Sequence, residues 1–362
     1  MNPPLIRLAR PDAGADELEA IRGVLESGTL TNGPRTAEFE DVFAKRHQVE
    51  HAVAFANGTV ALAGMLLAAG IGPGDEVIVP SMTFISTATS VNHVGATPVF
   101  ADIRPDIFTL DPRDVEQRLT NRTKAVMAVH YGGQPADLDE LRDVCQHAGA
   151  ALLEDAAQAH GVDYRGRPVG GIGDAAMFSF TPTKNITTGE GGMVTTNNAE
   201  WAQRLRLSRN HGQADLYHHV SLGYNWRITE MQAAMGVVQM TKLDGILERK
   251  RINASYLAER LAATSLKAPV CLPDRTHGYM LYTLLAETDN RDRILDGLAR
   301  RSIEARIYFP PAHTQPIYSD RGAQLSVTED VAGRMLSVPF HAQMTDEEID
   351  RVADALIELA PA

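Results

Sequence analysis

Between about residues 50 and 200, short β-rich apolar runs alternate with stretches of helical spacing. The runs cover 53–55, 76–79, 98–100, 125–129, 150–153, 177–180 and 193–195. Between several of them the pattern predicts helices over 59–69, 86–93, 111–119 and 137–147. Strands alternating with helices predict an α/β fold with a largely parallel sheet covered on both faces. Such sheets bind ligands beyond the carboxyl ends of their strands, so the residues just after each run are the ones to inspect. Beyond Thr229 the texture changes. Residues 230–259 read as one long helix with few breakers, mixed shorter segments follow Pro273, and a last helix is predicted over 346–359. The change predicts a large domain, 1–240, and a smaller C-terminal α+β domain, 241–362.

Length and charge narrow the class. The 362 residues match about two domains at roughly 100–200 residues each. The 34 Lys and Arg stand against 46 Asp and Glu, a formal charge of −12. A surface of that sign repels phosphate backbones, so nucleic acid is not the expected partner, although a local pocket can still take an anion. Two cysteines, Cys145 and Cys271, make neither a disulfide framework nor a metal cluster and fit a reducing compartment. Residues 1–7 show no basic stretch leading into a long apolar core. The longest near-apolar run, 60–72, is too short to span a bilayer. The expectation is a cytoplasmic protein with no membrane partner and no metal.

Three segments carry candidate chemistry. Asn57-Gly58-Thr59 lies between an apolar run and an Ala/Leu-rich helix. The glycine permits close backbone approach, and the helix start offers free N–H groups to a phosphate. The same residues also suit a plain Asn-Gly turn with a Thr cap. Glu154-Asp155 closes an apolar run, where a carboxylate can face a ligand or merely cap a helix. The segment 178–192 runs from a strand into a loop rich in Thr, Gly and Asn with a single lysine, Lys184, then into a second strand. A lysine desolvated there becomes a nucleophile toward carbonyls, whereas in a surface hairpin it stays solvated. Ser179 and the loop amides can bind an anion.

Other patterns fail on context. Gly171-Ile172-Gly173-Asp174-Ala175-Ala176 has dinucleotide-loop spacing but precedes a strand instead of opening a helix. His47 and His51 are four apart without the glutamate of a zinc helix, and read as a solvated helix face. His218-His219 has no companion ligands nearby.

A phosphate cradle, a strand-end carboxylate and a loop lysine together suit pyridoxal 5′-phosphate. Its phosphate needs donors, its pyridine nitrogen a carboxylate, its aldehyde an amine. Here the sequence closely resembles the DegT/DnrJ/EryC1/StrS family of sugar aminotransferases, within fold type I of the pyridoxal-phosphate enzymes. The resemblance spans essentially the whole chain. It is carried by Thr29-Leu30-Thr31-Asn32-Gly33-Pro34, Asn57-Gly58-Thr59, Thr83-Phe84, His130-Tyr131-Gly132-Gly133-Gln134-Pro135 and Glu154-Asp155-Ala156-Ala157-Gln158. Lys184-Asn185, Gly189-Glu190-Gly191-Gly192, Gly223-Tyr224-Asn225-Trp226-Arg227 and Glu230-Met231-Gln232-Ala233-Ala234 complete it.

The resemblance implies roles residue by residue. Lys184 is implied to condense with the cofactor aldehyde and to shuttle protons, and Asp155 to partner the pyridinium nitrogen. Gln158 is implied to contact the ring hydroxyl, Phe84 to stack on the ring, and Gly58, Thr59 and Ser179 to hold the phosphate. Asn225 is implied to reach the cofactor of a neighbouring subunit, making a homodimer with shared active sites. Thr31 and His313 are implied to border the sugar. The family moves an amino group, from L-glutamate in similar enzymes, to a nucleotide-linked keto-sugar in amino-sugar biosynthesis. The Gly-Glu-Gly-Gly loop resembles members acting at C4; a C3 keto-sugar or a cyclitol is the alternative. Relatives that deoxygenate sugars carry His where Lys184 stands. Regulatory relatives that have lost turnover tend to lack the Lys or the Asp, and the 223–227 and 230–234 matches speak against an amino-acid aminotransferase.

Overall fold

The computed structural model describes residues 4–319 and 322–362; the first three residues of the stretch read for a leader lie outside them. Helices α1 (Ala15–Ser27) and α2 (Pro34–His47) precede the sheet. The chain then alternates β1 (His51–Phe55), α3 (Gly58–Ala68), β2 (Glu76–Pro80), α4 (Ser86–His93) and β3 (Thr97–Ala101). Next come α5 (Pro112–Gln117), β4 (Thr123–Val129), α6 (Leu138–Ala148) and β5 (Ala151–Asp155). A small ribbon of β6 (Asp163–Tyr164) and β7 (Arg167–Pro168) leads to β8 (Ala175–Ser179) and β9 (Gly192–Thr196). Helix α7 (Ala199–Arg209) and a second ribbon, β10 (Gln213–Asp215) with β11 (His218–His219), close this half.

Seven strands form one sheet in the order β1-β9-β8-β5-β4-β2-β3. The pairs from β8 to β3 are parallel, as the alternation predicts, but β9 runs antiparallel to both β8 and β1. The reason lies between Ser179 and Gly192. That loop holds no helix to carry the chain across the sheet, so the chain returns beside the strand it has just left. Strand alternation divides the buried side chains into two layers. Ile78, Val126, Leu152, Ala176 and Phe178 face one core; Val77, Met127, Leu153, Ala175 and Met177 face the other. Helices thus cover both faces.

Helix α8 (Glu230–Leu261) opens with a capping box, in which Thr229 and Gln232 satisfy each other's backbone amides. It runs unbroken across the expected boundary near residue 240. Ala233, Leu243 and Leu247 belong to the core of the large sheet, while Ala254, Leu257 and Leu261 belong to a separate core. That second core also holds β12 (Tyr282–Leu285), α9 (Arg291–Arg300), β13 (Met335–Val338) and α11 (Asp346–Leu359), with Ile6 from the N-terminal segment. Helix α10 (Ser326–Arg334) leads directly into β13. Among the described residues no helix is long and apolar enough to cross a membrane.

Candidate active site

A cleft of about 670 Å³ opens at the carboxyl ends of the parallel strands. Asp155 ends β5, Ser179 ends β8, and Gly58 and Thr59 open α3; all of them line it together with Lys184, Gln158 and Phe84.

The floor starts at α3. Asn57 is its cap and accepts from the Val60 amide at 3.1 Å, so Thr59 is not the capping residue. The Thr59 hydroxyl instead lies 2.8 Å from Ser86 Oγ. A Cβ on Gly58 would sit 3.0 Å from Ser179 Cβ, which explains why glycine stands there: the strand end and helix start press together. The outcome is a helix N-terminus with three hydroxyls around it, a donor set suited to an anion with several acceptor oxygens.

Asp155 is buried, 5% exposed. One oxygen accepts from Thr87 Oγ1 at 2.7 Å and the other from the Ala157 amide at 3.2 Å. The Thr83 hydroxyl lies 2.7 Å from Thr87 Oγ1, and since the Thr87 proton is committed to Asp155, Thr83 donates. Burial raises the Asp155 carboxyl above its ordinary range, opposed by these two donors and by the positive charge of Lys184. No helix follows Asp155, so it is not a cap. Gln158 Oε1 accepts from the Gly132 amide at 2.7 Å, which fixes the amide plane and leaves its NH2 group as the free end.

Lys184 sits in a turn closed by its own amide on Thr181 O at 2.9 Å. The loop behind it is tied down by Thr187 Oγ1 on Phe180 O, Thr188 Oγ1 on Glu190 O and the Thr187 amide on Gln239 of α8. Gly192 has no room for a side chain, because a Cβ there would lie 2.5 Å from Asn57 O. Lys184 itself is half-buried and lines the cleft, so it is not a fully solvated hairpin lysine. Burial lowers its amine to about 8, and the Asp155 carboxylate pulls partly the other way.

Phe84 stands at the mouth, 54% exposed, with its ring centroid 5.7 Å from Phe309 in an edge-on arrangement. Met280, Tyr308 and Phe309 close the cleft from the C-terminal half. From the sequence, Tyr308 could face either the sugar or solvent and Phe309 belongs to the segment expected near the sugar, whereas Met280 was not legible, since 260–291 offers no motif. The sequence reading also missed Ser86 and Thr87, although a hydroxyl-rich run just beyond β2 is a signal of the kind it looked for.

Three expected residues lie outside the cleft lining. Thr31 and Asn225 are exposed, each in an isolated backbone bridge, to Thr229 and Asn210 respectively. His313 is buried, with Nδ1 2.6 Å from Ser81 Oγ and Nε2 3.1 Å from Glu329 Oε1. His47 is not on a solvated face. It is 1% exposed, stacked on Phe43 at 4.4 Å, with Nδ1 2.7 Å from Val169 O. The 171–176 segment serves a scaffold, since the Ile172 and Gly173 amides donate to Glu154.

The sequence model of the DegT/DnrJ/EryC1/StrS aminotransferase family matches residues 11–357. DesV of S. venezuelae, solved in complex with a ketimine intermediate, is 38% identical, with 98% of each chain covered and a TM-score of 0.95. PseC of Helicobacter pylori, an aminotransferase involved in the biosynthesis of pseudoaminic acid, is 28% identical. Coverage is 98% of this chain and 99% of PseC, at a TM-score of 0.94. Spr1654 of Streptococcus pneumoniae in its PLP form is 27% identical, with 99% of this chain and 98% of its own covered, at a TM-score of 0.94.

Proposed function

The chain belongs to the DegT/DnrJ/EryC1/StrS aminotransferase family, whose members are pyridoxal-phosphate-dependent sugar aminotransferases, and from that premise we propose its reaction in detail. It binds pyridoxal 5′-phosphate in the cleft and moves an amino group from L-glutamate to C4 of a nucleotide-linked keto-sugar, in the cytoplasm. The observation that carries this reading is one arrangement: a buried carboxylate and a desolvated lysine face the same cleft as a glycine-floored helix start.

The residues fit the cofactor. The amides at the start of α3 and the hydroxyls of Thr59, Ser86 and Ser179 bind its phosphate. Asp155 accepts from its ring nitrogen and thereby gains the cation that its burial calls for. Gln158 turns its NH2 toward the ring hydroxyl, and Phe84 covers one ring face. When bound, pyridoxal phosphate supplies a carbonyl that condenses with amines and a ring that accepts electrons.

Lys184 acts as the base and acid. An amine near 8 keeps a substantial neutral fraction at neutral pH, so it takes the proton from the α-carbon of the donor. The same amine, now protonated, then acts as the acid that gives the proton back. Asp155 keeps its negative charge opposite the ring nitrogen throughout, and the Thr83–Thr87 relay holds its carboxylate plane. Met280, Tyr308 and Phe309 wall the cleft on its C-terminal side and narrow the access of water to the proton transfer.

The shared-site homodimer belongs to the same proposal. Leu216, Tyr217, Val220, Leu222 and Tyr224 are exposed beside Asn225, and an apolar patch of this kind favours cover by a second copy. Asn225 then reaches the partner's cofactor phosphate, and Thr31, likewise exposed, borders its sugar. His313 acts through its segment, which carries Tyr308 and Phe309 to the cleft. The C4 position rests on the Gly189–Gly192 loop; a C3 keto-sugar or a cyclitol is the other acceptor class. The test is release of 2-oxoglutarate from L-glutamate with a panel of acceptors. Turnover with nucleotide-linked 4-keto-sugars is the expected result, and turnover with α-keto acids alone overturns the reading.

A further inference from the structure

Behind Lys184, on the side away from the cleft, stands a second lysine that the reaction does not use. Lys250 lies midway along α8 and is 4% exposed. Its Nζ donates to Asn185 Oδ1 at 2.7 Å and to Tyr279 O at 3.0 Å, and sits 5.9 Å from the Phe340 ring centre. Both acceptors are neutral, and among the described residues no carboxylate forms an ion pair with it. Burial lowers its amine to about 7. Burying an ammonium on two neutral acceptors is costly, and a methionine would fill the same volume without that cost.

What the lysine holds is the residue that follows Lys184. Because Lys250 Nζ donates to Oδ1, the Asn185 amide is held with Oδ1 toward α8 and Nδ2 the other way. Nδ2 donates to Gly278 O at 3.0 Å, and the Gly278 amide donates to Gly133 O at 2.9 Å. One side chain thus joins the Lys184 turn to the 278–279 segment, next to the cleft wall at Met280. A cavity of about 20 Å³, lined among others by Lys184, Asn185, Lys250 and His341, runs behind both lysines.

We propose that Lys250 is a positioning residue for Lys184: by fixing the Asn185 amide it clamps the turn that carries the reacting amine onto the Gly278–Tyr279 segment. The proposal rests on the reading that Lys184 is the amine that meets the cofactor. Lys250 touches no substrate and transfers no proton; it sets where the amine of Lys184 ends.

The experiment compares wild type, Lys250→Met, Asn185→Ala, the double variant and Lys250→Arg as full-length protein. Each is stripped of cofactor, given pyridoxal 5′-phosphate, reduced with borohydride and mapped by peptide mass spectrometry. Hydrogen exchange at the Thr187, Thr188 and Gly189 amides is read on the cofactor-free protein. Lys250→Met should slow trapping at Lys184 about tenfold and speed exchange of these amides about tenfold, a coupling typical of contacting residues. Asn185→Ala should do the same, the double variant should be no worse than either single, and Lys250→Arg should return both rates to within about twofold. If Lys250→Met does not fold, Asn185→Ala and Lys250→Arg still read the clamp from its two ends. Trapping at Lys184 with unchanged rates in Lys250→Met, or single effects that multiply in the double variant, overturns the clamp alone. Trapping at another lysine in wild type overturns the reading of Lys184 itself.

Discussion

Glu154 and Asp155 are neighbours at the end of β5, and they belong to opposite layers of the molecule. Glu154 points into the layer of α2, α6 and α8, fully buried. It accepts from His130 Nε2 at 3.0 Å and from the amides of Gly170, Ile172 and Gly173 at 3.2, 3.3 and 2.6 Å. Burial pushes its carboxyl up, but these donors outweigh that and hold it below the ordinary range. Asp155 points the other way, toward α3 and α4, receives only two such bonds, and stays raised. A carboxylate whose lone pairs are all taken holds a loop. A carboxylate left half-satisfied opposite an amine has capacity for a ligand.

The comparison breaks most sharply at Lys184. Lys184→Ala should lower turnover by about 10⁴-fold or more while leaving the melting curve close to wild type, because the amine acts on the reaction and not on the core. Asp155→Asn should come next, with turnover down about 10²–10³-fold from the lost charge opposite the ring nitrogen. Glu154→Gln should invert that pattern. Urea unfolding should show a loss of about 3 kcal/mol, with turnover per folded molecule changed by less than about threefold, since a buried charge loses its match to four donors. Equal effects of the two carboxylate variants on chemistry would erase the distinction.

Two smaller effects sharpen it. On the Glu154 side, burial holds His47 at about 4 and His160 at about 3. Their folded values lie below the ordinary 6.5, so the stability they contribute is full above pH 6.5 and drains as pH falls toward 4. His47→Leu should remove about one proton from that slope, about 1.4 kcal/mol per pH unit, in urea titrations across pH 4–6.5. On the Asp155 side, pH-dependent acylation of the cofactor-free protein should give Lys184 a midpoint near 8. In Asp155→Asn that midpoint should fall by about one unit or less, because the carboxylate is the charge that raises it.

Much of this was legible along the chain because two periodicities carry it. Buried strands such as Val77–Val79 and Leu152–Leu153 are continuous apolar runs, and the helices between them repeat at helical spacing, so sheet and layers followed. The antiparallel return of β9 was not legible, since nothing within Thr181–Gly191 distinguishes a hairpin from a crossover until the missing helix is noticed. At the site, Asp155, Lys184, Gly58 and Ser179 were readable as residues at strand ends or in the loops and helix starts that follow them. The division of labour between Glu154 and Asp155 was not, because it depends on which loop faces each oxygen. His47 misled for a related reason: its burial comes from Val169 and Phe178, far away in sequence. Met280, Tyr308 and Phe309 reach the cleft through long-range packing alone.

The most direct measurement is the visible absorption of the purified protein mixed with pyridoxal 5′-phosphate, followed through addition of L-glutamate, in wild type and Lys184→Ala. The account predicts a visible band in wild type that fades as L-glutamate is added and 2-oxoglutarate appears, with no such conversion in Lys184→Ala. A wild-type protein that develops no band with pyridoxal 5′-phosphate, or a Lys184→Ala protein that converts L-glutamate as fast as wild type, would contradict it.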